Sequence, residues 1–262
     1  MSAVQPHIIT FDNKGKTMTP DNLIFMTACI GIVAFLYSSV GHAGASGYIA
    51  VMTLFSMTPA AIKPTALVLN IMVACIGSWH FWRAGHFSWR LFWPFAILSI
   101  PFAFLGGYLN LPAHIFKMLV GVVLLLSALK FIVDPKEKPG IRPPSKPVAC
   151  GVGAGLGLLA GCTGTGGGIF LTPLVILMGW ARTKTASAVS ALFILANSIS
   201  GLAGNLSATK WFPTFAWSFV ASAVVCGTAG SFLGSRRFSP VLIKRLLAVV
   251  LIIAGCKLLF TK

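Results

Sequence analysis

Gly161-Cys162-Thr163-Gly164-Thr165-Gly166-Gly167-Gly168 and, 120 positions earlier, Gly41-His42-Ala43-Gly44-Ala45-Ser46-Gly47 are the stretches on which the reading of this chain turns. Each interrupts apolar sequence with glycines, and each leads into an apolar segment too short to cross a bilayer, residues 47–57 and 168–180. The shift of 120 lays Gly41, Gly44, Gly47 and Ile49 on Gly161, Gly164, Gly167 and Ile169, then Thr65-Ala66 on Thr185-Ala186 and Ser78 on Ser198. A shift of 127 lays the run from Lys117 to Lys130 on the run from Lys244 to Lys257. Apolar sequences match by chance, but matched glycines and lysines are harder to obtain that way, so the chain reads as a duplication.

Around these loops the sequence is 262 residues long, 56% apolar and 9% charged, with a mean hydropathy of +0.89. A soluble domain carries roughly 25% charged residues, and this chain could not cover a water-facing surface. An ordinary soluble enzyme is thereby excluded. A bilayer core of about 30 Å takes about 20 apolar residues of helix. Runs of that order fall at residues 23–40, 65–82, 91–109, 115–133, 185–206, 215–233 and 241–260, and a third short run at 148–160. Residues 134–147 hold five prolines and most of the mid-chain charge, so they can neither continue a helix nor enter lipid. The expected organisation is a polar tail (1–22) without a signal-peptide pattern, a first repeat (23–133), a cytoplasmic linker (134–147) and a second repeat (148–262). The fold class is an all-α polytopic membrane protein, two repeats of about five hydrophobic segments each.

The formal charge of +16 does not point to nucleic acid, because the basic residues stand singly between apolar runs and form no basic stripe interleaved with aromatics. They read as decoration of helix ends. With five segments per half, thirteen Lys and Arg fall on one side of the membrane and seven on the other. The positive-inside rule makes the first side cytoplasmic and places both termini outside, in a multi-pass cell-membrane protein. Each half then crosses an odd number of times and the second sits inverted relative to the first, the plan of secondary transporters whose broken or re-entrant helices meet near the midplane.

Glycine lets the chain bend at membrane depth, where non-helical backbone is tolerated only against protein or a water-filled cavity. The helix that follows offers free N–H groups and a positive dipole end to an anion. Ser46, Thr163 and Thr165 would add hydroxyl donors. The candidate site therefore sets Gly44, Ser46 and Gly47 against Thr163, Gly164, Thr165, Gly166 and Gly167, with Asn70, Ser190 and Asn197 nearby. Glycines also let helices approach closely, and polar side chains also bond between helices. Recurrence of the loops at matched positions favours the site. His42 could carry a proton or cap a helix, and Cys162 could touch substrate or be an inert buried thiol. His80, Arg83 and His86 lie where interfacial anchors belong.

All four carboxylates, Asp12, Asp21, Asp134 and Glu137, fall in the tail or linker, so a carboxylate site for a coupling cation is hard to build. The six cysteines show no metal-binding spacing, and no metal or cofactor is expected. The reading is a transporter of a small anion working by alternating access in a lipid bilayer, with a homo-oligomer left open. The alternative is an intramembrane thiol-dependent sulfur-relay protein or enzyme, with Cys162 or Cys75 as nucleophile and His42 or His80 as activating base. A scaffold without substrate would have no cavity at the loops.

The Thr165-Gly166-Gly167-Gly168 loop ahead of a short helix, the Ala-x-Ala-x-Ser-x-x-Phe-Ile-x-x-Asn-Ser pattern from Ala186 to Ser198 and the duplicated layout resemble the TauE/SafE family of sulfite and organosulfonate exporters. The resemblance covers nearly the whole chain after Pro20. It implies a multi-pass plasma-membrane protein, commonly bacterial, that exports small sulfur-containing oxyanions. The first loop departs from the family pattern at His42-Ala43 and Tyr48, so the resemblance carries a substrate class rather than one substrate.

Overall fold

The computed structural model describes residues 20–109, 114–133, 140–210 and 217–260, and their regular structure is entirely α-helical. In chain order the helices are α1 (Pro20–Ser39), α2 (Ala45–Leu54), α3 (Pro59–Arg83), α4 (Trp89–Tyr108), α5 (His114–Val133), α6 (Lys146–Thr163), α7 (Gly168–Leu177), α8 (Thr183–Thr209), α9 (Trp217–Arg236) and α10 (Pro240–Phe260). Helices α1, α3, α4, α6, α8 and α9 are long and apolar enough to cross a membrane, and α5 and α10 have comparable lengths of 20 and 21 residues. The chain is a multi-pass membrane protein. Residues 1–19 of the expected tail and 134–139 of the linker lie outside the described residues, while Pro20, Asp21 and Asn22, expected in the tail, begin α1.

Helices α2 and α7 have 10 residues each, a rise of about 15 Å and half the thickness of a hydrocarbon core. Both are packed inside the protein: Tyr48 and Met52 of α2 and Leu171 and Val175 of α7 are fully buried. The third run expected to be short is corrected by the structure, because α6 has 18 residues and spanning length. Its glycines lower its hydropathy and read as breakers. In a membrane helix they form a packing face instead.

That face is the main device of the fold. Gly153, Gly157 and Gly161 stand four residues apart on one side of α6, and a Cβ on them would strike the backbone carbonyls of Phe95, Ser99 and Ala103 on α4. The two helices touch backbone to backbone. Helix α9 uses the same device on α1, where Gly230 and Gly234 meet the carbonyls of Phe35 and Ser39. The most extensive pairings are α4 with α6, α1 with α9, α4 with α8, α5 with α10 and α3 with α8, and every one joins a helix of the first half to one of the second. Lipid tails are as apolar as leucine, so these pairs are held by close dispersion contact and interhelical hydrogen bonds rather than by escape from water.

The outer surface carries exposed Ile32, Leu126, Val225 and Ile253, suited to lipid. Around the α3–α4 turn, exposed Trp79, Trp82, Trp89 and Trp93 gather beside Arg83 and Arg90, with the Trp89 and Trp93 rings stacked at 5.9 Å. Aromatic rings and arginines together mark a membrane–water interface. His80 and His86 do more than face it: His80 Nδ1 meets Ser231 Oγ at 2.8 Å and His86 Nε2 meets the Ser235 carbonyl at 3.1 Å, pinning the end of α3 to α9.

Gly157→Val would drive a branched side chain into the Ser99 backbone and is expected to lower stability by about 1–3 kcal/mol, measured by reversible unfolding in mixed micelles. Gly155→Val, on the same helix with open space around its Cβ, is expected to change it by under about 0.5 kcal/mol.

Candidate functional site

The chain leaves α1 at Ser39, runs non-helically through Val40 to Gly44 and enters α2 at Ala45. Of the first-loop candidates only Gly44 is in the loop; Ser46 and Gly47 belong to the first turn of α2. The reversal is already complete at Gly44, whose φ of +109° is open to glycine and strained for other residues. In the second half α6 ends at Thr163, and Gly164, Gly166 and Gly167 take φ of +72°, +73° and +79° before α7 begins at Gly168.

One side chain ties these two irregular segments together. Asn70, fully buried on α3, accepts a hydrogen bond from the Ala45 amide at 3.0 Å, which caps the start of α2. Its amide nitrogen donates to the Thr165 carbonyl and to Ser198 Oγ on α8, each at 3.3 Å. A Cβ on Gly166 would meet Asn70 Nδ2 at 2.9 Å and Ser198 Oγ at 2.7 Å, so the loop lies directly against this carboxamide. His42 makes a second bridge: its Nε2 lies 2.9 Å from the Gly168 carbonyl, to which it donates. Asn70 and His42 thus link the two segments by hydrogen bonds.

The two helix starts differ. The Ala45 amide of α2 is occupied by Asn70, whereas the Gly168 and Ile169 amides of α7 have no acceptor among the described residues, the first bonded amide being that of Phe170. Gly167 as N-cap has no side chain to offer. The positive end of α7 thus presents its first amide without a side-chain cap, whereas at α2 Asn70 occupies the first amide and leaves that of Gly47 without an acceptor among the described residues.

The hydroxyls do not stand as free donors. Thr163 Oγ1 donates to the Leu159 carbonyl at 2.6 Å, which leaves Thr165 Oγ1 to donate to Thr163 at 2.8 Å. Ser46 donates to Tyr37 Oη at 3.0 Å, and Tyr48 Oη donates to the Ala43 carbonyl at 2.6 Å, closing the first loop on itself. Each hydroxyl hydrogen is committed inside the protein and would have to rotate to meet a ligand. Ser190 is buried with Oγ unpartnered, one helical turn before Ile194, which packs on Gly166 and Gly168. Asn197 lies elsewhere: its Oδ1 accepts from Ser99 of α4 at 2.9 Å and its Nδ2 is buried without an acceptor. The partner of Asn70 on α8 is Ser198, one position on, which the repeat alignment marked as the counterpart of Ser78.

Cys162 is partly buried and is a free thiol. Neither base required by the thiol alternative bonds to it, since His42 is engaged with Gly168 and His80 with Ser231. Its charged neighbour is Lys63 of α3, absent from the sequence-derived candidates. No group of His, Cys, Asp and Glu among the described residues could hold a metal ion.

Asn70→Leu keeps the bulk but strands the Ala45 amide, the Thr165 carbonyl and Ser198 Oγ. It is expected to cost about 1–3 kcal/mol for each buried group left unpaired, read as a lowered Tm in detergent, whereas Ser190→Ala, whose hydroxyl has no partner, is expected to be near neutral.

Comparison with known proteins bears on this arrangement. Over 234 residues, 87% of this chain and 95% of the relative, the sequence is 37% identical to the Sinorhizobium fredii (strain NBRC 101917 / NGR234) protein named "Probable membrane transporter protein y4hK". It is 26% identical over 258 residues, 90% of this chain and 96% of the relative, to the Bacillus subtilis (strain 168) protein named "Probable membrane transporter protein YjnA". No solved structure matches the chain. The family description "Sulfite exporter TauE/SafE" matches residues 26–258, nearly every described helix, and the chain belongs to that family of membrane transporters.

Proposed function

We propose that the protein exports a small oxyanion, sulfite or an organosulfonate, by alternating access of a site at the junction of the two loops. The observation that carries this reading is the junction itself: two broken segments, one from each half, are joined by Asn70 beside the unoccupied amides of Gly168 and Ile169. A sulfite or sulfonate head presents oxygens that only accept hydrogen bonds, and unpaired amides at a helix start only donate. Asp21, in the first turn of α1, is the one carboxylate among the described residues, so nothing in the interior repels a negative ligand. The site comprises Gly44, Ser46, Gly47, Asn70, Thr163, Gly164, Thr165, Gly166, Gly167 and Ser190, with His42 and Cys162 at its edges, while Asn197 is turned to Ser99 of α4.

The matched order and lengths of α1–α5 and α6–α10, and pairings that each take one helix from each half, support two inverted repeats with α2 and α7 as re-entrant segments. In this arrangement the linker is cytoplasmic and both termini are outside. Reporter fusions at Lys262 and Ser145 test it; finding both on one side of the membrane would refute the inversion.

Proteoliposomes are expected to take up sulfite or a sulfonate in preference to carboxylates and metal cations, and a response to cations alone would overturn the reading. Thr165→Asp fixes a negative charge where the substrate's charge must sit and is expected to abolish uptake in protein that still elutes as a folded species. Unchanged uptake would move the site elsewhere.

A further inference from the structure

Lys63 is an inward-turned cation that the description of the junction does not use. Lys63 lies in the first turns of α3, seven residues before Asn70, so the two share a helix face about 10 Å apart along the axis. Asn70 lies against Gly166, and the stem of Lys63 lies against Gly164: a Cβ on Gly164 would meet Lys63 Cγ at 2.9 Å. The face of α3 from Lys63 to Asn70 thus covers the whole second loop, with Cys162 also within electrostatic reach of the ammonium. Lys63 Nζ is buried and has no hydrogen-bond partner among the described residues.

An ammonium in that position is unusual. Lysines near the end of a membrane helix ordinarily run their stems along apolar surface and place the charge in water, whereas this one is turned inward. A buried charge without a counter-ion is costly, and no carboxylate lies in the interior to supply one. The group that would satisfy it is an anion seated on the second loop.

We propose that Lys63 is the charge-recognising residue of the transport site, its ammonium forming an ion pair with the oxyanion held at the loop Gly164–Gly167 while the α7 amides bind the other oxygens. This rests on the anion-site reading of the loop junction. Lys63 sets the preference for a charged oxyanion over a neutral molecule of the same shape, a task that amides alone perform weakly.

The test compares parent protein, Lys63→Met, which keeps the stem length, and Lys63→Arg, which keeps the charge, each purified in detergent and titrated with sulfite and with methanesulfonate. Folding is checked by elution profile and by Tm without ligand, and Lys63→Gln stands in if the methionine variant does not fold. Lys63→Met is expected to bind at least tenfold more weakly, with Lys63→Arg within a few fold of the parent. Parent-like binding by folded Lys63→Met or Lys63→Gln would overturn the role of Lys63 and leave the loop site standing. Equal loss in the arginine and methionine variants would also overturn it, because a purely steric role behaves that way. Failure of the parent to bind either anion would instead overturn the loop-site reading, and this inference with it.

Discussion

Inside hydrocarbon a peptide group has no water to bond to, and each unpaired one costs several kcal/mol. This constraint shapes everything at the centre of the molecule, because the chain abandons helical geometry there twice, after Ser39 and after Thr163. The protein answers with side chains from the same half, Asn70 at Ala45 and Tyr48 at Ala43, and from the opposite half. Asn70 of the first half holds the Thr165 carbonyl of the second, and His42 of the first loop holds the Gly168 carbonyl at the start of α7. The broken segments are tolerable because each is also a ligand of the other half, which is why the surrounding helices must come very close. The glycine faces of α6 and α9 provide that closeness by removing every Cβ that would keep α4 and α1 away.

The same constraint bears on a place where the pairing is incomplete. The start of α2 is capped and the start of α7 is not. Two helix ends of equal length and related sequence are treated differently because the first half carries Asn70 where the second, at the matched position, carries Ser190. A serine is too short to reach across as the carboxamide does, and its hydroxyl remains unpartnered.

The sequence made the framework legible because apolar length and glycine recurrence are linear properties: the spanning segments, the two short helices and the two loops could all be read from spacing. What it concealed was three-dimensional. Glycines in α6 carry the same letter whether they break a helix or form its packing face, so its length was underestimated. Asn197 and Ser198 are adjacent in the sequence, and only the packing of α3 on α8 shows that Ser198 rather than Asn197 meets Asn70. The hydroxyls of Thr163 and Thr165 looked like free donors because their acceptors, a carbonyl one turn back and each other, are invisible in a residue list. Lys63 counted only as a topological charge, although its seven-residue spacing from Asn70 was a signal that could have marked it.

The cross-half pairings also impose an order on biogenesis. The Thr165 carbonyl that satisfies Asn70 lies 95 residues further along the chain, and at about 5–20 residues per second it leaves the ribosome roughly 5–20 s later. Throughout that interval α3 holds an amide group with no native partner, and α1 and α4 present backbone faces whose glycine-bearing mates do not yet exist. Assembly is complete only once the second half has been made, because each of the most extensive helix pairings takes one helix from either half.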